Sequence, residues 1–253
     1  GVDKQKPHNS NCIKLYILKE NLLTSLKKKI TKIVHLAAVS SDQDSKKNIN
    51  NCYDTNIFGT INLINFAKIN KVQKFIFAST EWVYGDFLKK KSYKSKINIS
   101  NLSSHYAITK AICEKIILNS GLNYSILRFG IIYGNKTKNH SAVESIVHQV
   151  KHKNKIKINS KKTARSFIHI LDIIESINLS LNYKSKGIFD IQGLRLITLE
   201  EIIKITSNYL NKKVKIIELK RNSPSRRVIN PYISHKKLKF IPKINIYKGI
   251  STI

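Results

Sequence analysis

Ser104-His105-Tyr106-Ala107-Ile108-Thr109-Lys110-Ala111-Ile112-Cys113-Glu114-Lys115-Ile116-Ile117-Leu118 is the stretch around which the rest of the chain falls into order. Ser103 or Ser104 can cap its N-terminus and no Gly or Pro follows until Gly121, so a helix is expected from 104 to 118. Ile108, Ala111, Ile112, Ile116 and Leu118 cover much of its circumference, which predicts a largely buried helix. Tyr106 and Lys110 lie four apart, on one face and one turn from each other. A positive charge about 6 Å away at an effective dielectric of about 20 favours a phenolate by roughly 3 kcal/mol, or about two pKa units. Lys110 is thus expected to bring Tyr106 down from about 10 toward the range of a general base. Tyr-x-x-x-Lys also arises by chance on helices, so its surroundings must decide.

Outward from the helix, Lys74-Phe75-Ile76-Phe77-Ala78 and Tyr124–Arg128 read as buried strands on either side of it. Upstream, Gly1-Val2-Asp3 reads as the end of a strand, Cys12–Ile17 as a short strand and Glu20–Ile30 as an amphipathic helix. Lys32–Ala38 is a further strand closing on two small residues, and a long helix is expected from Asn48 to Ile69. Continuous rather than alternating apolar runs, with helices between them, predict an α/β parallel sheet covered on both faces. Ligands lie at the C-terminal strand ends of such sheets, where Ala37 and Ala38 would let a flat group approach the backbone. After Gly134 the rhythm changes. Helices are expected over Ala142–His152, Ile170–Leu181 and Leu199–Leu210, and strands near Lys155–Ile158, Arg165–His169, Gly187–Ile191 and Val214–Leu219. Ser234–Ile253 shows little periodicity, and no linker separates two halves, so a second domain would be interleaved with the first.

The 253 residues carry a net charge of +31 and contain no Met. The lysines are scattered rather than gathered in one motif, and Lys, Asn and Ile are abundant together, as an A+T-rich coding sequence would produce. That favours a solvated basic surface over a specific nucleic-acid site. Cys12, Cys52 and Cys113 are odd in number and lack metal-ligand spacing, which suits unpaired thiols in a reducing cytoplasm and no metal centre. No run of eighteen apolar residues occurs, so no membrane span is expected.

Six stations in order carry a resemblance: His35-Leu36-Ala37-Ala38, Asn56-Ile57-Phe58-Gly59-Thr60, Ala78-Ser79-Thr80 to Tyr84-Gly85, Tyr106 to Lys110, Leu127-Arg128 to Tyr133-Gly134, and Arg165-Ser166-Phe167-Ile168-His169 to Asp172. Together they resemble the extended short-chain dehydrogenase/reductase family, in its nucleotide-sugar epimerase/dehydratase branch. The resemblance implies a Rossmann-type doubly wound parallel sheet over 1–130 with 167–191, and a smaller substrate domain over 131–166 with 192–253. It implies Tyr106 as the catalytic acid/base, Lys110 lowering its pKa and holding the nicotinamide ribose, and Thr80 bonding the reacting sugar oxygen. Ala37, Ala38 and Asn56 would line NAD, Asp3 would pair with the adenosine ribose, and Arg165 would grip the substrate diphosphate. A second diphosphate arginine is expected among Arg221, Arg226 and Arg227. A cytoplasmic homodimer acting on a nucleotide sugar, of the UDP-glucose 4-epimerase type, is what the resemblance implies.

Departures shape the expectation. The substrate-contacting Asn of the family is Ile131 here, and Tyr16 stands at an acidic position. No Gly-x-x-Gly-x-x-Gly occurs among the nine glycines. By resemblance that loop lies upstream of Gly1, so the chain is expected to be truncated, poorly able to bind NAD and inactive by itself. Dehydratases of the family follow the Thr with Asp-Glu; here Glu81-Trp82 follow it, and an indole cannot abstract a proton. Epimerase therefore ranks above dehydratase, with Glu81 as a substrate contact, and keto-sugar reductase third. A non-catalytic dinucleotide-fold protein and a basic nucleic-acid binder are the alternatives from other classes.

Overall fold

The computed structural model describes residues 2–3, 13–14, 16–19, 26, 29–85, 91–92, 94–135, 141–222 and 224–253. The chain forms two compact units, one of Gly1–Gly85, Lys96–Arg128 and Ser180–Ile188, the other of Asp86–Ser95, Phe129–Leu179 and Phe189–Ile253. The return into the first unit is shorter than the 167–191 expected, and the segment from 86 to 95 goes with the second unit.

In the first unit β1 (Val2–Asp3) pairs in parallel with β2 (Ile13–Lys14). β3 (Lys32–His35) pairs in parallel with β4 (Lys74–Thr80), His35 opposite Phe77, and β5 (Tyr124–Phe129) lies on the other side of β4. The strand Gly187–Ile191, whose first two residues belong to this unit, completes a four-stranded sheet beyond β5. β4 is buried at every position but Ala78, the pattern of a strand covered on both faces.

The sequence missed helix α1 (Asp42–Lys47), which Ser41 caps by accepting from the Asp44 amide at 2.9 Å. The helix expected over 48–69 is present but interrupted: α2 (Ile49–Tyr53) passes through one widened π turn, Asp54–Phe58, into α3 (Gly59–Ile69). Gly59 packs closely on Ile17, whose side chain would have to shift to admit a Cβ, Cδ1 lying 2.5 Å from its place. Helix α4 (His105–Leu118) follows Ser104, which occupies the cap position with extended dihedrals but makes no capping bond through its side chain. Leu63, Phe66, Phe75, Phe77, Ile117 and Ile126 form the core between α3, α4 and the sheet. Of the helix expected over Glu20–Ile30, Leu26, Lys29 and Ile30 are not helical, and the rest lies outside the described residues.

The second unit contains β6 (Ile132–Tyr133), α5 (Ala142–His152), β7 (Lys155–Ile158), β8 (Ala164–Arg165) and β9 (Ile168–His169). The single strand expected over 165–169 is thus two short ones, broken at Ser166-Phe167. There follow α6 (Ile170–Asn182), whose last residues return to the first unit, then β10 (Gly187–Ile191), β11 (Ile197–Thr198), α7 (Leu199–Tyr209) and β12 (Lys215–Glu218). β12 runs parallel to β7, β11 antiparallel to β8 and β6 parallel to β9. Ser141 and Glu144 form a capping box on α5, and Thr198 caps α7. The aperiodic tail forms α8 (Tyr232–Lys237) and α9 (Ile246–Ile250), held where Asp172 accepts the amides of Lys243 (2.9 Å) and Ile244 (3.1 Å). Among the described residues no helix is long and apolar enough to cross a membrane.

Candidate active site

β4 leaves the sheet at Ser79-Thr80. Thr80 is extended and opens the short 3-10 turn Glu81–Tyr84, its hydroxyl accepting from the Trp82 amide at 3.3 Å. The Thr80 side chain also acts on the Tyr106 phenol, favouring its ionised form. The turn ends at Gly85, with φ 68° and only 2.9 Å between a would-be Cβ and Asn101 O, a place no other residue fits. Thr80 and Glu81 are buried, and Trp82 is half-buried.

Lys110 is 2 % exposed. Its Nζ donates to Ala78 O at 2.7 Å, lies 4.5 Å from the Phe77 ring centre and 5.9 Å from that of Tyr106. The two side chains are neighbours, as expected; the consequence for the phenol is not the expected one. Tyr106 is pushed up to about 12, because burial strips water from the phenolate and the Thr80 side chain only partly offsets it. Although part of the Tyr106 surface stays accessible, its hydroxyl is enclosed. Lys110 itself is brought down to about 8 by burial, against the pull of Cys113, Glu114 and Cys52. The expectation that Tyr106 is brought down toward a base is therefore corrected: at this depth desolvation decides its pKa.

Asn56 sits on the inner side of the π turn, 2 % exposed. Its Oδ1 accepts from Val39 N (2.8 Å) and its Nδ2 donates to Val39 O (3.1 Å) and Thr109 Oγ1 (2.9 Å). Thr109 in turn donates to Tyr106 O at 2.9 Å. Asn56 thus ties the turn after Ala37-Ala38 to the Tyr106 helix. Ala37 is exposed and Ala38 half-exposed beyond the end of β3. Beside them His35 is buried between Phe75 and Phe77, with Nε2 2.9 Å from Thr60 Oγ1. Burial, then the Lys110 charge, holds its pKa down to about 3, so the imidazole is neutral. Asp3 is the last residue of β1, opposite Lys14.

Four residues escaped the sequence reading. Glu114 accepts from Arg128 Nη2 (2.6 Å) and Nε (2.9 Å to Oε1), and from Ser79 Oγ at 2.5 Å. Arg128 Nη1 donates to Tyr84 OH at 2.7 Å. A signal was present: a carboxylate on an apolar helix and a guanidinium inside the strand Tyr-Ser-Ile-Leu-Arg-Phe are charges that burial permits only as a pair.

In the second unit Arg165 borders a cavity of about 270 Å³ that Gln149, Lys157, Asn159, Thr163 and Lys220 also line. Its Nη1 donates to Ala164 O and Ser225 O, both at 2.8 Å, and its Nη2 to Ser225 Oγ at 2.9 Å. Ser225 to Arg227 runs beside β8, Arg226 bridging to Ala164. Arg226 is exposed and Arg227 buried. Ile131 packs against the apolar core of this unit.

The description "NAD dependent epimerase/dehydratase family" belongs to the family whose model matches residues 1–191. The chain is 28 % identical over 229 residues to UDP-glucuronate 4-epimerase of Thermodesulfobacterium geofontis, covering 87 % of this chain and 70 % of that protein. It is 24 % identical over 247 residues to UDP-glucuronic acid decarboxylase 1 of Arabidopsis thaliana, covering 92 % and 56 %. Among solved structures it is similar to UDP-glucose 4-epimerase of Thermotoga maritima with UDP-glucose, at TM-score 0.87 and 20 % identity over 99 % of this chain and 87 % of that one. The UDP-glucuronic acid 4-epimerase of Bacillus cereus with UDP-glucuronic acid and NAD gives TM-score 0.84 at 23 % identity, covering 97 % and 81 %. At such identities the structures establish the Rossmann-like fold alone.

Proposed function

The chain belongs to the NAD-dependent epimerase/dehydratase family, and on that premise we propose that it is a nucleotide-sugar epimerase that works by oxidising the sugar at C4. The observation that carries this reading is the convergence at the end of β4 of Thr80, the Tyr106 phenol on which it acts, and the buried Lys110 ammonium one turn along the helix, bound to Ala78 O. NAD, when bound, supplies the hydride acceptor. Ala37 and Ala38 offer small side chains at an open strand end, and the Lys110 ammonium has protons beyond the one given to Ala78 O, which fits a ribose with free hydroxyls. Asp3 would take the adenosine ribose. No residue of this sequence has the glycine spacing of a pyrophosphate cradle.

Tyr106 is a neutral phenol at rest, and a positive charge brought beside it would lower its pKa toward a base. The phenolate oxygen then takes the proton of the sugar hydroxyl that Thr80 holds, and returns it after the sugar has turned over. Arg165, Lys157 and Lys220 around the second-unit cavity would take the diphosphate. Buried free thiols, Cys52 and Cys113, suit the reducing cytoplasm proposed for a homodimer. A dehydratase is the second reading, favoured by Glu81, a carboxylate buried directly after Thr80. It ranks lower because Trp82 follows, and an indole nitrogen only donates.

The test is Tyr106→Phe, assayed by NMR for epimerisation of UDP-glucose and UDP-glucuronate. In the whole protein that carries this chain, turnover by the parent and its loss in the variant are expected. A variant with the parental kcat overturns the assignment of Tyr106.

A further inference from the structure

We propose that the buried Glu114–Arg128 pair is a positioning device for the site, locking the Thr80 strand end, the Lys110 helix and the Glu81 turn to one rigid hub. The proposal rests on the reading of Thr80, Tyr106 and Lys110 as the reacting groups. Each arm of the hub ends next to one of the candidate residues. Ser79, bonded to Glu114 at 2.5 Å, directly precedes Thr80. Glu114 is one helical turn beyond Lys110 and two beyond Tyr106 on α4. Tyr84, bonded to Arg128 at 2.7 Å and stacked 4.8 Å from its guanidinium carbon, closes the turn that Glu81 opens. Arg128 stands on β5, the neighbour of β4 in the sheet, and is 3 % exposed; Glu114 is 1 % exposed.

A guanidinium is the group for this task. Its planar fork holds the carboxylate through Nε and Nη2 while Nη1 reaches the phenol, three directions fixed at once. A carboxylate so held leaves a second accepting edge for Ser79. Rotation of α4 or slippage of β4 would break several charge-assisted bonds at once inside a medium that cannot supply water.

The hub also sets the charge of the site. The groups facing Lys110 are His35 from β3, Cys52 from α2, and Tyr106, Cys113 and Glu114 from its own helix. Burial raises both thiols and keeps His35 neutral, so Glu114 is the anion left to hold Lys110 protonated. Removing Glu114 alone would strand the Arg128 charge and unfold the unit. The double change E114Q/R128M keeps the charge balance and the volume.

The experiment follows two readouts on the full chain. The titration midpoint of Lys110, followed by the 13Cε shift of the lysine signal that Lys110→Arg removes, should move by about half a pH unit or more in E114Q/R128M. With UDP-glucose or UDP-glucuronate, kcat should fall about 10- to 100-fold while KM stays within about threefold, the mark of misplaced groups rather than lost binding. Should the double variant fail to fold, Ser79→Ala, which deletes one bond from the hub, should still cost kcat about three- to tenfold. R128K, with one ammonium in place of the fork, should not rescue. A folded double variant with parental midpoint and kcat, or Ser79→Ala with parental kcat, overturns the proposal. Absence of turnover on either sugar by the whole protein that carries this chain sinks the epimerase reading, whereas the Lys110 midpoint needs no substrate and still decides the role of the hub.

Discussion

Two lysines are buried at opposite ends of the same strand, and they have almost nothing else in common. Lys74 begins β4 at 3 % exposure; Lys110 lies against its other end at 2 %. Burial brings each down to about 8. Lys74 donates to Ser185 O (2.9 Å), Asn123 Oδ1 (3.3 Å) and Tyr124 O (3.4 Å), all neutral acceptors, with the Tyr183 ring 5.3 Å away. Lys110 donates a hydrogen bond to Ala78 O and shares its helix with a phenol one turn back and a carboxylate one turn on. A depressed amine is thus no marker of a site. What differs is the company: carbonyl oxygens tie down loops, whereas hydroxyls and a carboxylate within a turn can move protons.

The sharpest way to break this contrast is to make the same change at both ends. Lys110→Met should lower kcat/KM for a nucleotide sugar by about 10²- to 10⁴-fold, the usual scale for groups that serve proton transfer. Lys74→Met should leave it within about twofold. Equal losses, measured by steady-state kinetics beside circular dichroism to check folding, would mean that both amines are structural.

The strand end and the helix were legible because they are local. Ala142–His152, Lys155–Ile158 and Gly187–Ile191 fall where the apolar periodicity put them, and Tyr106 and Lys110 share a face because helix geometry requires it. The π turn was not legible, since the inward amide of Asn56 is satisfied by Val39, a residue 17 positions away. Nor was the Tyr106 pKa. A sequence gives the distance to a charge on the next turn, but desolvation depends on atoms that only the packed sheet and turn bring in. Glu114 and Arg128 were readable as odd charges in apolar runs, yet their pairing is tertiary.

A cation outside the first unit extends the comparison. Arg165 is half-buried and pinned by Ser225, with Lys157 and Lys220 lining the same cavity. Arg165→Ala should raise KM for a nucleotide sugar about 30- to 150-fold, from loss of a charge-assisted contact of about 2–3 kcal/mol, and leave the NAD KM nearly unchanged. Equal effects on both would make it a structural brace for the 225 segment.

The smallest effect is on stability, and it isolates Lys74. An amine whose pKa is about 8 in the folded chain and 10.5 when unfolded penalises the fold at neutral pH, because burial opposes the charged form. Between pH 8 and 10.5 the unfolded chain binds the extra proton, so stability rises with pH across that window as the penalty fades. Lys110 and the surface lysines titrate alkaline too, so only a difference between proteins is informative. Lys74→Met removes the group, and its stability relative to the parent should be greatest near pH 7 and shrink toward pH 10. Each pH unit of the gap is worth about 1.4 kcal/mol. The covering loop at Lys184-Ser185-Lys186 is exposed, so water takes back a share and a change of about 1–2 kcal/mol is expected. Above pH 10 Tyr106 adds a slope of the opposite sign, since its phenol stays protonated in the fold, and the comparison should stop there. Urea unfolding at pH 7, 8.5 and 10 reads the difference directly. A flat difference across the three would show that the Lys74 ammonium is as well solvated by its carbonyl oxygens as by water, and the two ends of β4 would then differ in electrostatics as well as in neighbours.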